Sequence, residues 1–307
     1  MEGRVLATGG FGTITRGKYL SQCIVKKEMI DMREKEFLDE VITTHCYRSI
    51  RSPTIMGILE DFDSNLDKEN NHKASFLLEM IKGENLRQKI SKLTFDMIQE
   101  PKNELYYLLM LTELAKAVQF LHRKNLIHRD LKPENILISE NFDLKLIDFG
   151  ISKQLSKECS NVLTVEKGTI YYEPPENICD TDINEDDMCK TDFNVKRNIS
   201  KAFDIWSFGL IVSEIFGCEF PYGEELRKTP YKILINHMEG RGFPIPDRIK
   251  DSNLLILIKD CTEKNPKNRI SIEDIITILT SLLKDRLVFY SKKLDISKLF
   301  DNKESKY

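Results

Sequence analysis

The chain has 307 residues, of which 41% are hydrophobic and 31% are charged, and its formal net charge is −3 at pH 7. This length is enough for one or two domains with a large hydrophobic core. The nearly balanced charge excludes a general electrostatic attraction to nucleic acids or acidic membranes, so we expect no nucleic-acid partner.

The N-terminal part, up to about residue 81, predicts a small, mostly β domain with one helix. Residues 4–30 contain short strand-like runs around a glycine turn. A charged segment from about Asp31 to Cys46 has apolar residues on one face at helical spacing, which predicts a helix. The runs TIMGILEDF and ASFLLEMI predict two strands, and the polar SNLDKENNHK between them predicts a hairpin loop.

From Lys82 onward the pattern predicts a larger and mostly helical part. Apolar residues recur at helical spacing from Leu105 to Leu121, and the charges of Glu113 and Lys116 exclude a membrane span there. The nearly continuous apolar run SFGLIVSEIFG predicts a buried helix, and LLILIKDC and IEDIITILTSLL predict two more.

The cysteine pattern indicates the compartment. Seven cysteines are scattered along the chain, and none of them forms a C-x-x-C pair. Free thiols of this kind are typical of proteins in a reducing compartment. We therefore expect a cytoplasmic protein, with a nuclear location as the alternative.

A polar island lies within LIHRDLKPENILI, between two short apolar runs, and NFDLKLIDFG follows it at once. This pattern predicts two small strands joined by a tight turn, with the polar side chains at the rim of the hairpin. Asp130, Asn135 and Asp148 can then converge on one cleft, with the positive charge of Lys132 beside them. Carboxylate and amide oxygens are ligands of the kind that Mg²⁺ takes together with substrate phosphates.

The segment HRDLKPEN, with DFG beginning thirteen residues after its Asn, resembles the eukaryotic protein kinases of the serine/threonine type. The resemblance implies an α+β, bilobal fold with a small β-rich N-lobe containing one helix and a larger, mainly α-helical C-lobe. The implied kinase domain covers residues 1–283, with the N-lobe at about 1–81 and the C-lobe at about 82–283. Residues 284–307 would form a polar C-terminal tail.

The resemblance also implies an activity, the transfer of the γ-phosphate of Mg-ATP to Ser or Thr hydroxyls of protein substrates. Asp130 would accept the proton of the substrate hydroxyl, and Lys132 would offset charge on the moving phosphoryl group. Lys26, in CIVK, would reach the α- and β-phosphates. Asn135 and Asp148 would hold Mg²⁺, with Mn²⁺ as the alternative ion.

In the family, a helix glutamate pairs with the lysine that corresponds to Lys26. Glu40, fourteen residues after Lys26, matches that position, and Glu36, one turn earlier, is the alternative. Lys27 points to the other face of the same strand, where we expect it to be solvated.

Further ATP contacts are implied by two stretches, the glycine-rich ATGGFGTI and the hinge FLLEMIKGENL. In the hinge, Leu78 would be the gatekeeper, the backbone of Glu79 and Ile81 would meet the adenine, and Asn85 would touch the ribose. The other implied ATP contacts are Leu6, Ala7, Thr8, Gly9, Gly10, Phe11, Gly12, Thr13, Ile14 and Leu137.

Two residues depart from the family pattern near the implied nucleotide. Ala7 replaces the first glycine of the loop, which would cost on the order of 1 kcal/mol if that position needs a positive φ. Ile24 stands where the family usually has alanine, and its larger side chain would narrow the space over the adenine.

Three segments downstream match structural motifs of the family: GTIYYEPPE, DIWSFG and NPKNR. Glu176 and Arg269 would form a buried ion pair, and Asp204 would hold the backbone of the catalytic loop. Lys132 and Thr169 resemble the residues of kinases that act on Ser and Thr.

Regulation is implied by Arg129, which in the family often pairs with a phosphate on the activation segment. Thr164 lies nearest the usual modified position, and an unmodified loop threonine is the alternative. Between Glu176 and Asp204 the chain is longer than usual, and the extra polar stretch at about 179–200 predicts a solvated loop. Docking of a basic partner on that insert is the alternative.

Two other classes of function compete with an active protein kinase. A catalytically weak or inactive kinase-fold scaffold (a pseudokinase) is favoured by Ala7 and Ile24, whereas the presence of Lys26, Asp130 and Asp148 favours activity. A small-molecule phosphotransferase of the same fold would generally lack the GTIYYEPPE and DIWSFG segments. The sequence predicts no particular oligomeric state.

Overall fold

The structure is a computed structural model that describes residues 4–9, 12–19, 22–32, 58–66, 72–141, 143–147, 153–154, 161–163, 170–178, 193–195, 200–229 and 231–293. Contacts divide the chain into two compact units. The first comprises Met1–Lys89 and Leu121–Glu158, and the second comprises Ile90–Phe120 and Cys159–Tyr307.

The strands lie mainly in the first unit. They are β1 (Val5–Gly9), β2 (Gly12–Tyr19), β3 (Gln22–Met32), β4 (Ile58–Leu66), β5 (His72–Glu79), β6 (Gly83–Asn85), β7 (Leu126–Ile127), β8 (Ile136–Ser139), β9 (Leu144–Leu146), β10 (Lys153–Gln154), β11 (Asn161–Leu163) and β12 (Phe193–Val195). Five of them form an antiparallel sheet in the order β1-β2-β3-β5-β4, called the large sheet.

The large sheet confirms the predicted strands and the predicted β4–β5 hairpin, although both strands extend into the expected loop. Asp31 and Met32 belong to β3, so the predicted helix does not begin at Asp31. The remainder of that helix, to Cys46, lies outside the described residues.

A second sheet, called the small sheet, consists of β6, β8 and β9 in that order, with antiparallel pairing. Its strands confirm the predicted hairpin after the polar island. Gly83 permits the close approach of β6 to β8, because a Cβ atom there would lie 1.9 Å from the carbonyl oxygen of Ile138. A larger residue at this position would therefore force the two strands apart.

The helices of the described residues lie mainly in the second unit. They are α1 (Leu86–Ile90), α2 (Phe95–Gln99), α3 (Pro101–Arg123), α4 (Pro175–Ile178), α5 (Ala202–Gly217), α6 (Gly223–Arg227), α7 (Tyr231–Met238), α8 (Ser252–Cys261) and α9 (Ile272–Lys293). Helices α3, α5, α8 and α9 contain the four helical segments that the apolar patterns predict.

Helix α5 is buried from Phe203 to Gly217, as its nearly continuous apolar sequence predicts. It packs closely on α8 at Gly209, where an added Cβ atom would lie 2.5 Å from the Cβ atom of Cys261. The side chain of Asp251 caps the start of α8 by accepting hydrogen bonds from the backbone N–H groups of Asn253 and Leu254.

Helix α9 continues to Lys293, about ten residues beyond the predicted domain end at residue 283. Its last turns are anchored, because Arg286 forms ion pairs with Glu104 of α3 and with Asp251. Tyr290 also donates a hydrogen bond to Glu104, and burial together with that carboxylate raises the pKa of Tyr290 to about 12. The predicted domain boundaries themselves stay predictions.

The insert at 179–200 is not entirely a solvated loop, because its residues 193–195 form β12, which pairs antiparallel with β11. In this pairing Leu163 lies opposite Phe193. Two of the three residues of β12, Phe193 and Val195, are apolar, and backbone hydrogen bonds to β11 complete the strand. Residues 179–192 of the insert lie outside the described part of the chain.

Taken together, the sheets and helices confirm the predicted α+β class, with a β-sheet N-terminal region and a helical C-terminal part. Within the described residues, none of the helices is both long enough and apolar enough to cross a membrane. Three cysteines among these residues, Cys23, Cys218 and Cys261, are free thiols.

Candidate active site

Asp130 is the centre of the buried hydrogen-bond network formed by the polar island. Its carboxylate oxygens lie 2.6 and 2.8 Å from the Lys132 ammonium nitrogen. The side-chain N–H₂ of Asn135 donates to the Asp130 carboxylate and to the Asp130 backbone carbonyl, both at 2.8 Å. A 3₁₀ turn at Pro133–Asn135 carries Asn135 back toward Asp130. The three side chains that the sequence predicts to act together are thus in contact.

His128 links this network to the strand that follows it. The backbone N–H of Asp130 donates to His128 Nδ1 at 3.3 Å, and His128 Nε2 lies 3.1 Å from the carbonyl oxygen of Ile147. The Ile147 N–H in turn donates to the carbonyl of Asn135 at 2.9 Å. Since Ile147 directly precedes Asp148 in the sequence, these contacts fix the backbone at Asn135 and at the residue before Asp148.

Arg129, between His128 and Asp130, is buried and has a φ of +69°. Residues other than glycine rarely adopt this left-handed conformation, and strain of this kind concentrates at functional sites. Thr164, the expected phosphate-bearing residue, lies outside the described residues. The regulatory role of Arg129 and Thr164 therefore stays a prediction.

Lys26 lies in β3 of the large sheet, and its ammonium nitrogen is 2.7 Å from a carboxylate oxygen of Glu28. Residues two apart in a strand share a face, so this pair lies on one side of the sheet. Both side chains are more than a third exposed, so the ion pair contributes little to stability and can be exchanged. Glu28 was not the expected partner; Glu40 and its alternative Glu36 lie outside the described residues.

The register of the large sheet corrects two expectations about side-chain direction. Lys27 is buried, 9% exposed, rather than solvated, because the second face of β3 is also covered. Leu77, rather than Leu78, lies opposite Lys26, whereas Leu78 pairs with Val25. The predicted gatekeeper therefore points to the opposite face of the sheet from Lys26.

The glycine-rich segment forms the β1–β2 hairpin, with Gly9 paired to Gly12. Thr8 and Leu6 are exposed, and Gly10 and Phe11 at the turn lie outside the described residues. Ala7 lies in β1 and pairs with Ile14 of β2. An extended strand needs no glycine, so the cost of a positive φ at Ala7 does not arise.

Three residues of β2 were expected beside the nucleotide, Gly12, Thr13 and Ile14. Thr13 pairs with Glu28, whereas Ile14 pairs with Lys27, so the register places Ile14 on the face opposite Lys26. The ATP contact predicted for Ile14 stays a prediction. On the Lys26 face, Ile24 is 1% exposed and packs against Gly17, which offers room for its larger side chain.

The small sheet brings together two expected ATP contacts, Asn85 of the hinge stretch and Leu137. Asn85 of β6 pairs with Leu137 of β8, and Leu137 pairs with Lys145 of β9. Directly paired residues point to the same face, so the three form one row, called the Asn85 row. Lys145 also forms an ion pair with Glu79, with a nitrogen–oxygen distance of 2.9 Å. Ile81 is half-buried in the segment between Glu79 and β6.

An ion pair with helix α1 also holds the polar island. The Arg87 guanidinium of α1 donates to a carboxylate oxygen of Glu134 at 2.8 Å. Glu134 belongs to the 3₁₀ turn that carries Asn135. This ion pair therefore fixes the turn that places Asn135 against Asp130.

In the second unit, Arg269 and Glu176 form the predicted ion pair through two hydrogen bonds of 2.6 Å. The Arg269 side chain is 1% exposed, and it also donates to the carbonyl of Ala202 and stacks over the ring of Trp206. Asp204 is fully buried, as expected for an architectural residue. Its predicted role at the catalytic loop stays a prediction.

The metal site can be assessed only at Asn135, because Asp148 lies outside the described residues. The two hydrogen bonds from the Asn135 nitrogen turn that atom toward Asp130, which leaves the amide oxygen to coordinate a cation. An amide oxygen fits a hard divalent ion such as Mg²⁺. Within the described residues, no cluster of three His, Cys, Asp or Glu side chains could hold a metal by itself.

Sequence reasoning missed three charged residues at this site, Glu28, Arg87 and Lys145. Glu28 could have been found from its charge and its spacing of two residues from Lys26 on the same strand. The contacts of Arg87 and Lys145 span 47 and 66 residues, so no local pattern indicates them.

A family model described as a protein kinase domain matches residues 2–278 of the chain. The serine/threonine-protein kinase ppk34 of Schizosaccharomyces pombe is 34% identical over 164 residues, which is 53% of this chain and 41% of that protein. The CBL-interacting protein kinase 12 of Oryza sativa subsp. japonica is 27% identical over 288 residues, 89% of this chain and 46% of that protein.

A dual specificity protein kinase, Ttk of Danio rerio, is 33% identical over 172 residues, 53% of this chain and 16% of that protein. The chain spans less than half of the length of each of these three relatives.

Proposed function

The chain belongs to the protein kinase domain family, and we propose that it is an active serine/threonine kinase that phosphorylates protein substrates. The observation that carries the proposal is the contact of Asp130 with both Lys132 and Asn135 in a buried loop. Membership of the protein kinase family implies that the chain uses ATP and a divalent metal ion. We infer that this ion is Mg²⁺, with Mn²⁺ as the alternative. We expect the protein to act in the cytoplasm.

Asp130 would be the group that accepts the proton of the substrate hydroxyl. Its carboxylate is held by Lys132 and Asn135 at hydrogen-bond distance, so its orientation is set before a substrate binds. Phosphoryl transfer depends mainly on positioning and charge neutralisation. A carboxylate fixed in this way can aim the hydroxyl oxygen at the γ-phosphate.

Positive charge would be supplied from two places. Lys132 lies beside Asp130 and would offset the charge that develops on the transferring phosphoryl group. Lys26 would leave Glu28 and bind the α- and β-phosphates, an exchange that a weak, exposed ion pair permits. Asn135 and Asp148 would hold the metal ion, which when bound neutralises charge on the phosphate oxygens.

The test is phosphate transfer from radiolabelled Mg-ATP to a generic protein substrate, with the Asp130→Asn protein measured beside the natural one. We expect the substitution to lower the rate by about 10²- to 10⁴-fold, the usual contribution of a general base. Phosphoamino-acid analysis of the product should give phosphoserine and phosphothreonine.

Equal labelling by the two proteins would contradict the proposal and favour the scaffold hypothesis. A binding measurement separates the remaining cases, because a scaffold that keeps its nucleotide site would still bind ATP without transferring phosphate. Phosphotyrosine in the product would instead overturn the assignment to serine and threonine.

A further inference from the structure

Lys145 lies at one end of the Asn85 row, beside two side chains expected to contact ATP. The row runs straight across the small sheet, from Asn85 through Leu137 to Lys145. All three side chains are half-buried, whereas the alternate residues of β8 and β9 are buried. One face of the small sheet is therefore packed, and the other carries the row.

Glu79, the partner of Lys145, lies on the matching face of the large sheet. It pairs with Ile24 of β3, and Lys26 pairs with Leu77 two residues earlier in β5. Residues two apart in a strand share a face, so Glu79 points to the same side as Lys26. The contact between Glu79 and Lys145 thus joins the Lys26 face of one sheet to the row on the other.

The linker between the two sheets, residues 80–82, is short and has no regular secondary structure. It is tethered at both ends. Glu79 is held by Lys145 at 2.9 Å, and the carbonyl of Lys82 accepts a hydrogen bond from the N–H of Glu140 at 2.9 Å. Loss of the ion pair would remove the side-chain tether of the first end, which would keep its backbone pairing with Ile24, while the second would stay fixed by the backbone.

We propose that Lys145 is a positioning residue for the nucleotide, because its ion pair with Glu79 holds the linker over the Asn85 row. The inference rests on the proposed function, since it assumes that the linker backbone meets the adenine. Lys145 is 19% exposed and Glu79 is 34% exposed, so the pair is only partly screened by solvent. A partly buried pair of this kind can bias a short linker by a few-fold in population.

The expected signature is a change in nucleotide affinity without a change in the chemical step. Lys145 contacts Glu79, and neither residue lies in the network of Asp130. Removing the pair should therefore raise the KM for ATP and leave kcat unchanged. A general loss of structure would lower kcat as well.

The experiment measures the dissociation constant for ATP in excess MgCl₂ by isothermal titration calorimetry, using the full chain. We expect Lys145→Met to weaken binding about five-fold, in the range of a partly exposed ion pair. The matched control is Lys116→Met, which breaks an exposed ion pair with Glu113 in α3 and should leave the constant unchanged. Glu79→Gln breaks the same pair from the other side and should reproduce the Lys145→Met result.

A charge exchange tests the pair itself. Lys145→Glu alone places two carboxylates together and should weaken binding more than Lys145→Met. The double change Glu79→Lys with Lys145→Glu restores opposite charges and should recover most of the affinity.

The outcomes separate the inference from the proposed function. If the natural chain binds no nucleotide, the proposed function fails and the inference fails with it. If the natural chain binds ATP and the Lys145→Met and Glu79→Gln proteins bind equally well, the inference alone is overturned. An equal fall in kcat and in affinity would also overturn it, since that pattern indicates a structural role.

Discussion

The polar loop (residues 128–135) and helix α5 are both buried, but the first buries hydrogen-bonded polar side chains and the second buries mostly apolar ones. In the polar loop, Asp130 and Asn135 are at most 6% exposed, and they satisfy one another by hydrogen bonds within the loop. Helix α5 is buried along Phe203–Gly217 with mostly apolar side chains. Its charged neighbour, Arg269, donates hydrogen bonds to Glu176 and to the backbone carbonyls of Ala202 and Glu263.

The difference indicates a division of roles. Apolar burial stabilises a fold by roughly 25 cal/mol per Å² of surface removed from water, so α5 contributes mainly to stability. A buried hydrogen bond adds only about 1 kcal/mol net, because it replaces a bond to water. The polar loop therefore gains little stability from its network, but the network fixes the directions of its side chains. Changes near α5 should alter stability, and changes in the loop should alter activity.

The largest expected effect is the loss of the ion pair at the start of α5. Arg269→Met leaves Glu176 without its partner, and removing one member of a buried pair costs about 3–5 kcal/mol. The free energy of unfolding in urea measures the loss. Arg241→Met, which breaks an exposed pair with Glu239, is the control and should cost less than about 1 kcal/mol. A similar, small loss of stability in both proteins would contradict the claim that the surroundings of α5 stabilise the fold.

The next effect tests the polar loop. Lys132→Met removes a positive charge beside Asp130 and should lower kcat about 10²- to 10³-fold, as for other groups that stabilise developing charge. Asp130 is itself buried but keeps the hydrogen bond from Asn135, so the free energy of unfolding should fall by about 1–3 kcal/mol, less than for Arg269→Met. Steady-state kinetics and urea unfolding of the same preparation check both values. A loss of stability as large as that of Arg269→Met would show that the loop also supports the fold.

A pH dependence comes from His237, which is buried against the ring of Trp206 in α5. Burial, and then the charges of Lys264 and Arg269, lower the pKa of His237 to about 4. Between pH 6.5 and 4 the unfolded chain therefore binds a proton that the folded chain does not. The contribution of His237 to stability is complete above about pH 6.5 and falls by about 3 kcal/mol as the pH drops toward 4.

Urea unfolding of the natural and His237→Gln proteins at pH 7, 6 and 5 isolates this contribution. The natural protein should lose more stability over that range than the variant does. Parallel curves would contradict the neutral, buried state of His237.

The smallest effect lies at the end of α5, where Cys218 takes a left-handed conformation with φ 48° and ψ 37°. Glycine adopts this conformation without steric cost, so Cys218→Gly should stabilise the protein by about 1 kcal/mol. Cys218→Ala keeps the Cβ atom and should give no gain. Thermal unfolding of the three proteins compares them, and equal gains from both changes would point to the thiol rather than the backbone.

The sequence predicts the elements of this fold well where a pattern is local. The nearly continuous apolar run of α5 and the short apolar runs of β8 and β9 predict their types and most of their residues. The motif HRDLKPEN correctly groups Asp130, Lys132 and Asn135, because all three lie within six residues. The family prediction is confirmed by the match over residues 2–278.

The predictions that were wrong depend on strand register and on contacts between residues far apart in the sequence. Leu77 and Leu78 are adjacent and chemically identical, so only the pairing with β3 decides which of them faces the Lys26 side. A slip of one residue exchanges the two faces of a strand, and the sequence does not fix that register. The prediction that Lys27 is solvated was wrong because the sequence of one strand does not reveal whether its second face is covered.

The anchored end of α9 has a consequence for where this domain physically stops. The family match ends at residue 278, yet Arg286 and Tyr290 lie beyond it and supply the partners of Glu104 and Asp251. The carboxylates of Glu104 and Asp251 are at most 20% exposed, so their negative charge is balanced by these partners more than by water. A chain shortened to the family boundary would therefore leave Glu104 without Arg286 and Tyr290, and Asp251 without Arg286, although Asp251 would still cap α8.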